Sequence, residues 1–416
     1  MKETSVVIVG AGQAGFQLCA SLREKGYDGR IDLIGDERTP PYERPPLSKD
    51  FLAGSSKRED LLFRSEQFYR DNDISLLLGE SAVDIDRFSR RVRFESGRSV
   101  AYDHLVLAQG ARNRTLPLPG DWALDAMSLR TIEDAERLKE QSLRKQKVVV
   151  IGAGFVGLEV AATLARSGIA VEILDVMPRV MSRSISAPIS EFFQKAHAGW
   201  GSTIRCSCAV NRIERISGNR FLITTSDDVQ IENELIVVGI GVIPNAELAF
   251  AAELMVDNGI VVDDRLRTAD ERIFAIGDCA NFPSAGGAAV RIESVQNAVD
   301  QARCVAAQLT GSSESYSSVP WFWSEQNGLK LQIVGVTKGH THVALRGNPE
   351  QGQFSVFCFN GSRLLGIESV NRPTDHIIGR RLIGKHVRIT PQQVSDVNFD
   401  LKRHLERHTA VHTSVA

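Results

Sequence analysis

The sequence lacks the features that would indicate a membrane protein, a nucleic-acid binder or a zinc protein. No apolar run approaches the roughly 18 residues needed to cross a bilayer. The 49 Lys and Arg residues are balanced by 51 Asp and Glu, so the formal net charge is −2 and there is no basic excess for nucleic acid. The six cysteines include no CxxC motif and no zinc-ligand spacing. Residues 1–4 lead directly into an apolar strand pattern without a signal-peptide layout, so we expect a cytoplasmic protein with free thiols.

What the sequence does contain is one pattern that occurs twice. An apolar run precedes glycines with the spacing G-x-G-x-x-G, namely Gly10, Gly12 and Gly15 in the first occurrence and Gly152, Gly154 and Gly157 in the second. Apolar residues at helical spacing follow each motif, and another apolar run comes next. Each occurrence therefore predicts a strand, a glycine turn, a helix and a second strand. Strands that alternate with helices predict parallel sheets covered on both faces.

An acidic residue ends the second predicted strand of each occurrence. Asp36 and Asp175 follow the middle glycines by 24 and 21 residues. The glycines allow a pyrophosphate to approach the helix N-terminus, and the acid accepts hydrogen bonds from a ribose and repels a 2′-phosphate. An isolated motif could serve packing alone, but two complete ones predict two dinucleotides, most economically a flavin and a nicotinamide. Asp175 predicts a preference for NADH, although Arg179 and Arg183 could reach a 2′-phosphate.

Three further segments give the sequence a family resemblance. Residues 273–278 (IFAIGD) and 105–110 (LVLAQG) resemble two motifs of the two-dinucleotide-binding-domain flavoproteins, the superfamily of glutathione reductase. Gln109 stands where that superfamily usually has threonine. Residues 41–49, Pro-Tyr-Glu-Arg-Pro-Pro-Leu-Ser-Lys, resemble more specifically the oxygenase-coupled NADH:ferredoxin reductases. The resemblance extends from residue 5 to about residue 400.

The resemblance implies an α/β protein with two Rossmann-like dinucleotide-binding domains, as in glutathione reductase, and an α+β C-terminal interface domain. Breaks in the sequence agree with this division: prolines and glycine at 116–120, glycines and proline at 239–244, and serines at 312–318. We predict a discontinuous FAD-binding domain (1–115 and 246–317), an NAD-binding domain (116–245), a C-terminal domain (318–403) and a flexible tail (404–416). The tail prediction rests on the weak periodicity from about Leu405.

The cysteine pattern separates this chain from the disulfide reductases of the superfamily. Those enzymes carry a redox CxxxxC motif either after the first glycine motif or in the nicotinamide-binding domain. Residues 40–49, which correspond to the first of these places, contain no cysteine. The predicted NAD-binding domain contains only Cys206 and Cys208, which we place on a strand as buried small residues. We therefore expect no cysteine to carry electrons.

The resemblance implies catalytic roles for Lys49 and Glu159. In the family, the motif lysine lies beside the isoalloxazine and pairs with a glutamate where nicotinamide stacks on flavin. A cation there stabilises the negative charge of the reduced flavin, and Arg44 also faces the flavin. The alternatives are a solvated surface lysine and a glutamate favoured by the helix dipole in the first turn of a helix. Phe155 either gates the nicotinamide pocket or is a core residue.

The remaining site residues rest on the same resemblance. Residues 291–298 are predicted to open a long helix that runs through Ala307, and the resemblance aims its backbone N–H groups near Val295 at the flavin. One tryptophan of residues 321–326 covers the flavin edge, Trp323 rather than Trp321. The predicted FAD site comprises Gly10, Gly12, Ala14, Gly15, Asp36, Arg44, Lys49, Val83, Arg130, Asp278, Val295 and Trp323. The predicted NAD site comprises Gly152, Gly154, Phe155, Gly157, Glu159, Asp175 and Gly241, and we expect no metal site.

The function implied by the resemblance is NADH:ferredoxin reduction. Electrons pass from NADH through FAD to a [2Fe-2S] ferredoxin that supplies a haem monooxygenase or a Rieske dioxygenase. The alternatives are a rubredoxin or nitrite-linked reductase, a disulfide or peroxide reductase, and a signalling flavoprotein resembling apoptosis-inducing factor. Residues 360–403 carry eight Lys or Arg and four acids, which predicts a docking surface for an acidic ferredoxin or a solvated face without a partner. We expect a monomer or a weak homodimer that binds neither nucleic acid nor membranes.

Overall fold

The computed structural model describes residues 4–216, 220–284 and 288–413. Residues 1–3, where the sequence predicts no signal-peptide layout, lie outside the described residues. The chain forms two units, one of Met1–Arg44, Arg58–Arg112 and Val242–Ser318 and the other of Pro45–Lys57, Asn113–Gly241 and Val319–Ala416. None of the helices in the described ranges combines the length and the apolar character that crossing a bilayer requires.

The first unit is built on a parallel sheet with a buried centre. Its strands, in spatial order, are Ile273–Ala275, His104–Leu107, Ser5–Val9, Arg30–Gly35 and Ile74–Leu78. Every residue of Ser5–Val9 is buried, as expected for a Val/Ile run in a sheet covered on both faces. The helix Gln13–Glu24, here the first-motif helix, follows this strand and packs against the helix Val295–Leu309. The first glycine turn therefore lies at the carboxyl end of the central strand.

Smaller elements complete the first unit. Three antiparallel strands, Ala82–Asp86, Arg91–Phe94 and Ser99–Ala101, form a meander. The other strands are Ala111–Asn113, Val242–Pro244, Ile260–Val261, Ala280–Pro283 and Ala289–Val290. The other helices are Glu66–Asp71 and Glu247–Ala251, with 3₁₀ turns at Arg58–Leu61 and Gly277–Cys279.

The second unit contains another parallel sheet, which carries the second glycine motif. Its strands, in spatial order, are Thr203–Arg205, Ala170–Leu174, Lys147–Ile151 and Leu235–Val238. The helix Phe155–Arg166, here the second-motif helix, follows Lys147–Ile151. The remaining elements of this part are the helices Asp50–Ala53, Ile132–Ser142 and Ala187–Gly199, the 3₁₀ turns Pro45–Ser48 and Asp121–Leu124, and the antiparallel strands Val210–Ile216, Arg220–Thr225 and Gln230–Asn233.

An antiparallel sheet from the C-terminal part of the chain belongs to the same unit. Its strands, in spatial order, are Trp321–Gln326, Leu329–Gly335, Arg363–Val370, Gln353–Asn360 and His342–Asn348. The helices Pro373–Gly384, Pro391–Ser395 and Leu401–Thr413 and the 3₁₀ turn Pro349–Gln351 complete it. Apolar side chains of this sheet, such as Leu331 and Phe354, share one hydrophobic core with Val148 and Leu158 of the parallel sheet and second-motif helix.

The two units group the chain differently from the predicted domains in two respects. The second unit combines the residues predicted as the NAD-binding and C-terminal domains, and it also takes in residues 45–57. Leu52 from this short segment is 5 % exposed and lies in the core of the second unit. The three-domain division itself stays a prediction.

The C-terminal segment is helical where the sequence predicts a tail without periodicity. The helix Leu401–Thr413 covers most of residues 404–416. Leu401 and Leu405 are buried in one core with Leu382. They lie four residues apart and so share one helix face, a single repeat that is too short to stand out in a sequence window. Residues 414–416 lie outside the described residues.

Candidate functional site

The first glycine turn needs two of its glycines for reasons internal to the fold. Gly10 has a φ of +117°, and a Cβ added there would lie 2.2 Å from the carbonyl oxygen of Ala108. A Cβ on Gly15 would lie 2.0 Å from the carbonyl oxygen of Gly10. Ala14, between the motif glycines, packs its methyl group against Gly277. A side chain on Gly10 or Gly15 would therefore force the backbone apart.

Gly12 and Gly154, the middle glycines, have no such internal reason. Gly12 has a φ of −89° and Gly154 a φ of −78°, which any residue can adopt. Nothing in the described residues lies within 4 Å of a Cβ added at either position. Each middle glycine borders open space, which is the cradle that a pyrophosphate approaching the backbone requires.

The second glycine turn repeats the geometry of the first. Gly152 has a φ of +109°, and a Cβ there would lie 2.3 Å from the carbonyl oxygen of Gly239. A Cβ on Gly157 would lie 2.1 Å from the carbonyl oxygen of Gly152. In both turns the outer two glycines are therefore required by close backbone contacts, while the middle glycine borders open space.

The helices that follow the glycine turns begin without a side-chain cap. No side chain of the described residues accepts a hydrogen bond from the first turn of either helix at its N-cap, Gly12 or Gly154. The helix Ile132–Ser142, by contrast, has a complete capping box formed by Thr131 and Asp134. Free N–H groups and the positive end of the helix dipole are a binding site for an anion. The residues present therefore fit a dinucleotide at each turn.

The two predicted ribose acids lie at the ends of their strands but differ in their contacts. Asp36 is exposed, and its Oδ1 accepts from the backbone N–H of Glu37 at 3.0 Å. Asp175 is partly buried, and its carboxylate accepts from the N–H of Ala153 at 2.6 Å and of Met177 at 2.7 Å. Asp175 is therefore fixed against the second glycine turn.

Arg44, predicted to face the flavin, forms an ion pair that the sequence did not suggest. Its guanidinium lies 2.5 Å from Glu37 Oε1 and over the ring of Tyr42, at 5.2 Å from the centroid. The hydroxyl of Tyr42 donates to the other oxygen of Glu37 at 2.5 Å. Burial opposes the charged form of Arg44, but Tyr42 and Glu37 together raise its pKa above the ordinary value. The only sequence signal for Glu37 was its place next to Asp36.

Lys49 and Glu159 form the ion pair that the family resemblance predicts. Lys49 Nζ lies 2.5 Å from Glu159 Oε2, with 19 % and 7 % of the two side chains exposed. Lys49 Nζ also donates to the carbonyl oxygen of Pro45 at 3.0 Å. Two hydroxyls also donate hydrogen bonds to the Glu159 carboxylate: Ser48 Oγ to Oε2 at 2.5 Å and Ser324 Oγ to Oε1 at 2.7 Å. A solvated surface lysine, the alternative for Lys49, does not match this buried position.

The position of Glu159 in its helix corrects one expectation. It is the fifth residue of the second-motif helix, not part of the first turn, which contains no acid. The helix dipole acts mainly within the first turn, so dipole preference does not account for a glutamate here. Its partners account for it instead. Ser48 and Ser324 were missed by sequence reasoning, although each lies in a segment that the sequence had singled out.

The residues predicted around the flavin ring are placed as follows. Asp278 lies in the 3₁₀ turn Gly277–Cys279, whose first N–H donates to Gln301 Oε1 at 2.7 Å. Val295 is the first residue of the helix Val295–Leu309, which is capped by Ser294 Oγ accepting from Asn297 N. That cap leaves other N–H groups of the first turn available.

The predicted aromatic residues pack within the second unit. The rings of Phe155 and Phe322 lie 4.6 Å apart, so Phe155 is partly buried against the C-terminal sheet. The rings of Trp321 and Trp323 lie 5.6 Å apart, and both side chains are partly exposed. Arg380 lies over the Trp321 ring at 5.1 Å.

The three remaining predicted residues have simple surroundings. Val83 lies on the strand Ala82–Asp86 and is 52 % exposed, and Gly241 is exposed with a φ of +103°. The backbone N–H of Arg130 donates to the capping residue Asp134 at 3.0 Å. These contacts are compatible with binding roles but do not single them out.

The described residues contain no disulfide. All six are free thiols in the structure. The prediction that Cys206 and Cys208 lie on a strand is wrong. They follow the strand Thr203–Arg205 in a bend, because Ser207 between them adopts a φ of +54°. Cys208 is buried and Cys206 only partly so, and burial raises the pKa of both thiols. The reactive thiolate is therefore disfavoured at both positions.

Comparisons with known proteins agree with this geometry. Residues 4–302 match the family described as pyridine nucleotide-disulphide oxidoreductase, and residues 321–405 match the one described as reductase C-terminal. Rhodocoxin reductase from Rhodococcus erythropolis is 50 % identical over 98 % of this chain and 96 % of its own. The solved ferredoxin reductase for the CYP199A2 system of Rhodopseudomonas palustris superposes with a TM-score of 0.94 at 46 % identity, covering 96 % and 99 % of the two chains. The solved covalent putidaredoxin reductase–putidaredoxin complex gives 0.94 at 38 % identity, covering 98 % and 99 %.

Substitution of the first-motif glycines separates binding from packing. Gly12→Ala adds a methyl group in open space, so we expect the free energy of unfolding of the apoprotein to change by less than about 1 kcal/mol. FAD retention after gel filtration should nevertheless fall strongly. Gly15→Ala is the control. Its Cβ would lie 2.0 Å from the carbonyl oxygen of Gly10, so this variant should lower the free energy of unfolding by about 3 kcal/mol. Equal stability loss in the two variants, measured by urea unfolding, would contradict this division of roles.

Proposed function

Because the chain belongs to the pyridine nucleotide-disulphide oxidoreductase family, we propose that it is an NADH-dependent ferredoxin reductase. FAD and NADH are its cofactors. The observation that carries the proposal is the pair of complete glycine turns, each with an open middle glycine at an uncapped helix start. The acceptor is inferred from relatives that match the chain over nearly its full length, the reductases of rhodocoxin and putidaredoxin.

The residues of this chain bind and orient the cofactors and supply fixed charge. FAD held at the first glycine turn would supply the chemistry of accepting a hydride from NADH and passing on its two electrons singly. We assign the first glycine turn with Asp36 to FAD and the second with Asp175 to NADH. Lys49 supplies a positive charge whose position Glu159 fixes at 2.5 Å. Hydride transfer between stacked rings needs no acid–base pair, so positioning and electrostatics suffice.

The acceptor is proposed to be an acidic [2Fe-2S] ferredoxin that supplies an oxygenase. The exposed basic residues of residues 360–403 are Arg363, Arg381, Lys385, Arg388, Lys402 and Arg403. Two of the four acids in this stretch, Glu368 and Asp375, are buried, and only Asp396 and Asp400 are exposed among these bases, so the surface keeps the basic excess of the sequence count. Such a surface raises the association rate of an acidic partner. A cytoplasmic location and a monomeric or weakly dimeric state accompany this proposal.

A disulfide reductase fits the described residues poorly. Such an enzyme needs two cysteines that can alternate between thiol and disulfide, with one of them reactive as a thiolate. Cys206 and Cys208 have raised pKa values, and Cys19, Cys279 and Cys358 are buried. The cysteine chemistry therefore favours the ferredoxin reductase over this alternative.

Purification and a choice of acceptors test the proposed function. We expect a yellow protein with about one FAD per chain, and we expect denaturation to release the FAD. NADH should reduce the flavin, and a [2Fe-2S] ferredoxin should be reduced in turn. The matched acceptors are a rubredoxin, a low-molecular-weight disulfide and ferricyanide. Faster turnover with rubredoxin or the disulfide than with any ferredoxin tested would overturn the assignment.

Asp175 predicts a preference for NADH over NADPH. Its carboxylate is fixed beside the second glycine turn, while Arg179 donates to the carbonyl oxygens of Ile185 and Ser182 at 2.9 and 3.3 Å and so is already engaged. We expect kcat/KM to favour NADH by about 10–100-fold, and Asp175→Asn to narrow this ratio. Asp36→Asn, the matching change in the first turn, should leave the ratio unaltered. Similar efficiency with both coenzymes in the unmodified protein would refute the role of Asp175.

Charge reversal on the C-terminal surface tests ferredoxin docking. Arg381 is exposed, so Arg381→Glu changes charge with little effect on packing, whereas Arg380 also contacts Trp321. We expect Arg381→Glu to raise KM for ferredoxin about threefold or more at low salt, and this difference to shrink once the Debye length reaches about 8 Å. KM for NADH and turnover with ferricyanide should remain unchanged.

The control for docking is an equal change of charge elsewhere. Arg303 is exposed on the helix Val295–Leu309, and Arg303→Glu lowers the net charge by the same amount. If both variants raise KM for ferredoxin equally, total charge rather than a docking surface is responsible.

A further inference from the structure

A row of buried polar side chains extends from Glu159 into the core of the second unit. Ser324 Oγ donates to Glu159 Oε1 at 2.7 Å, and Gln326 Nε2 donates to Ser324 Oγ at 3.2 Å. His197 Nε2 lies 2.8 Å from Gln326 Oε1. Ser324 and His197 are 0 % exposed and Gln326 is 1 % exposed. Neither the predicted site nor the proposed function has used these three residues.

Ser324 can satisfy both of its neighbours in only one way. A serine hydroxyl has one proton to donate and lone pairs to accept. Because the amide N–H of Gln326 occupies a lone pair of Ser324 Oγ, the proton is directed to the carboxylate of Glu159. This leaves Oε1 of Glu159 with a fixed donor, while Lys49 and Ser48 both donate to Oε2.

His197 determines which way the amide of Gln326 is turned. Burial lowers the pKa of His197, so the imidazole is neutral and carries one N–H. Nδ1 has no hydrogen-bond partner in the described residues. A buried donor without a partner is rarer than a buried acceptor without one, so the proton belongs on Nε2, facing Gln326 Oε1. The reversed amide would present its oxygen to Ser324 and compete with Glu159 for the hydroxyl proton.

We propose that Ser324, oriented by Gln326 and His197, is a positioning residue that fixes the carboxylate of Glu159 for the reaction with NADH. This inference rests on the proposed function, in which Glu159 fixes Lys49. It gives the C-terminal strand Trp321–Gln326 a part in the reductive step in addition to any part in docking a ferredoxin. The alternation of side chains along the strand separates these two parts, since Ser324 and Gln326 are buried while Glu325 between them is exposed.

Ser324→Ala removes one donor to a buried carboxylate and leaves the rest of the row in place. We expect the rate of flavin reduction by NADH in stopped flow to fall about tenfold, as for loss of a hydrogen bond to a charged group. The dissociation constant of NAD⁺ for the oxidised holoprotein, measured by calorimetry, should rise several-fold, and KM for ferredoxin should not change. Ser324→Thr restores the hydroxyl and should recover most of the rate. Glu325→Gln, on the exposed side of the same strand, is the control and should behave like the unmodified protein.

Gln326→Leu provides a second test that keeps the hydroxyl but removes the group that directs it. We expect the reduction rate to fall less than it does with Ser324→Ala. When both changes are combined, the fold-loss in rate should be smaller than the product of the two single fold-losses, because both residues act on the same carboxylate. The inference is overturned if Ser324→Ala retains the reduction rate and NAD⁺ affinity, or if Ser324→Thr is as slow as Ser324→Ala. Failure of the unmodified protein to react with NADH would instead overturn the proposed function, which keeps the two failures apart.

Discussion

The buried ion pair of Lys49 with Glu159 is the constraint on which the second unit depends. Taking two charges out of water costs several kcal/mol per ion, and the cost is offset only when the remaining hydrogen-bonding groups are satisfied. Here the hydrogen bonds to the two charged groups come from distant parts of the chain, namely Pro45, Ser48 and Ser324. The pair therefore determines where several segments must lie. It explains why a short segment of the N-terminal third belongs to the second unit.

Supporting contacts hold that short segment in place. Thr163, one turn after Glu159 on the same helix, donates to the carbonyl oxygen of Ser48 at 2.8 Å. Leu52 enters the hydrophobic core, and Lys139 lies over the ring of Phe51 at 5.9 Å. Burial of a leucine side chain stabilises by about 1.5–3 kcal/mol, enough to offset part of the cost of the charges. The ion pair is thus embedded in ordinary packing that keeps its geometry fixed.

Local patterns were sufficient to predict the glycine turns and the strands and helices around them, because each depends on residues close in sequence. The partners of the charges were not predictable in this way. Ser324 lies 165 residues from Glu159, and no periodicity links them. The bend at Ser207 was missed because the alternation of cysteines around it resembles a strand, while the positive φ that breaks the strand leaves no trace in the sequence.

The separation of Lys49 from Glu159 along the chain, 110 residues, also bears on how the protein is made. At a synthesis rate of about 5–20 residues per second, the segment that carries Lys49 is synthesised about 5–20 s before its partner. During that time Leu47, Phe51 and Leu52, buried in the finished fold, have no core to enter. The nascent chain therefore exposes a short apolar stretch until the second-motif helix has been synthesised, and exposed apolar surface of this kind is prone to aggregate.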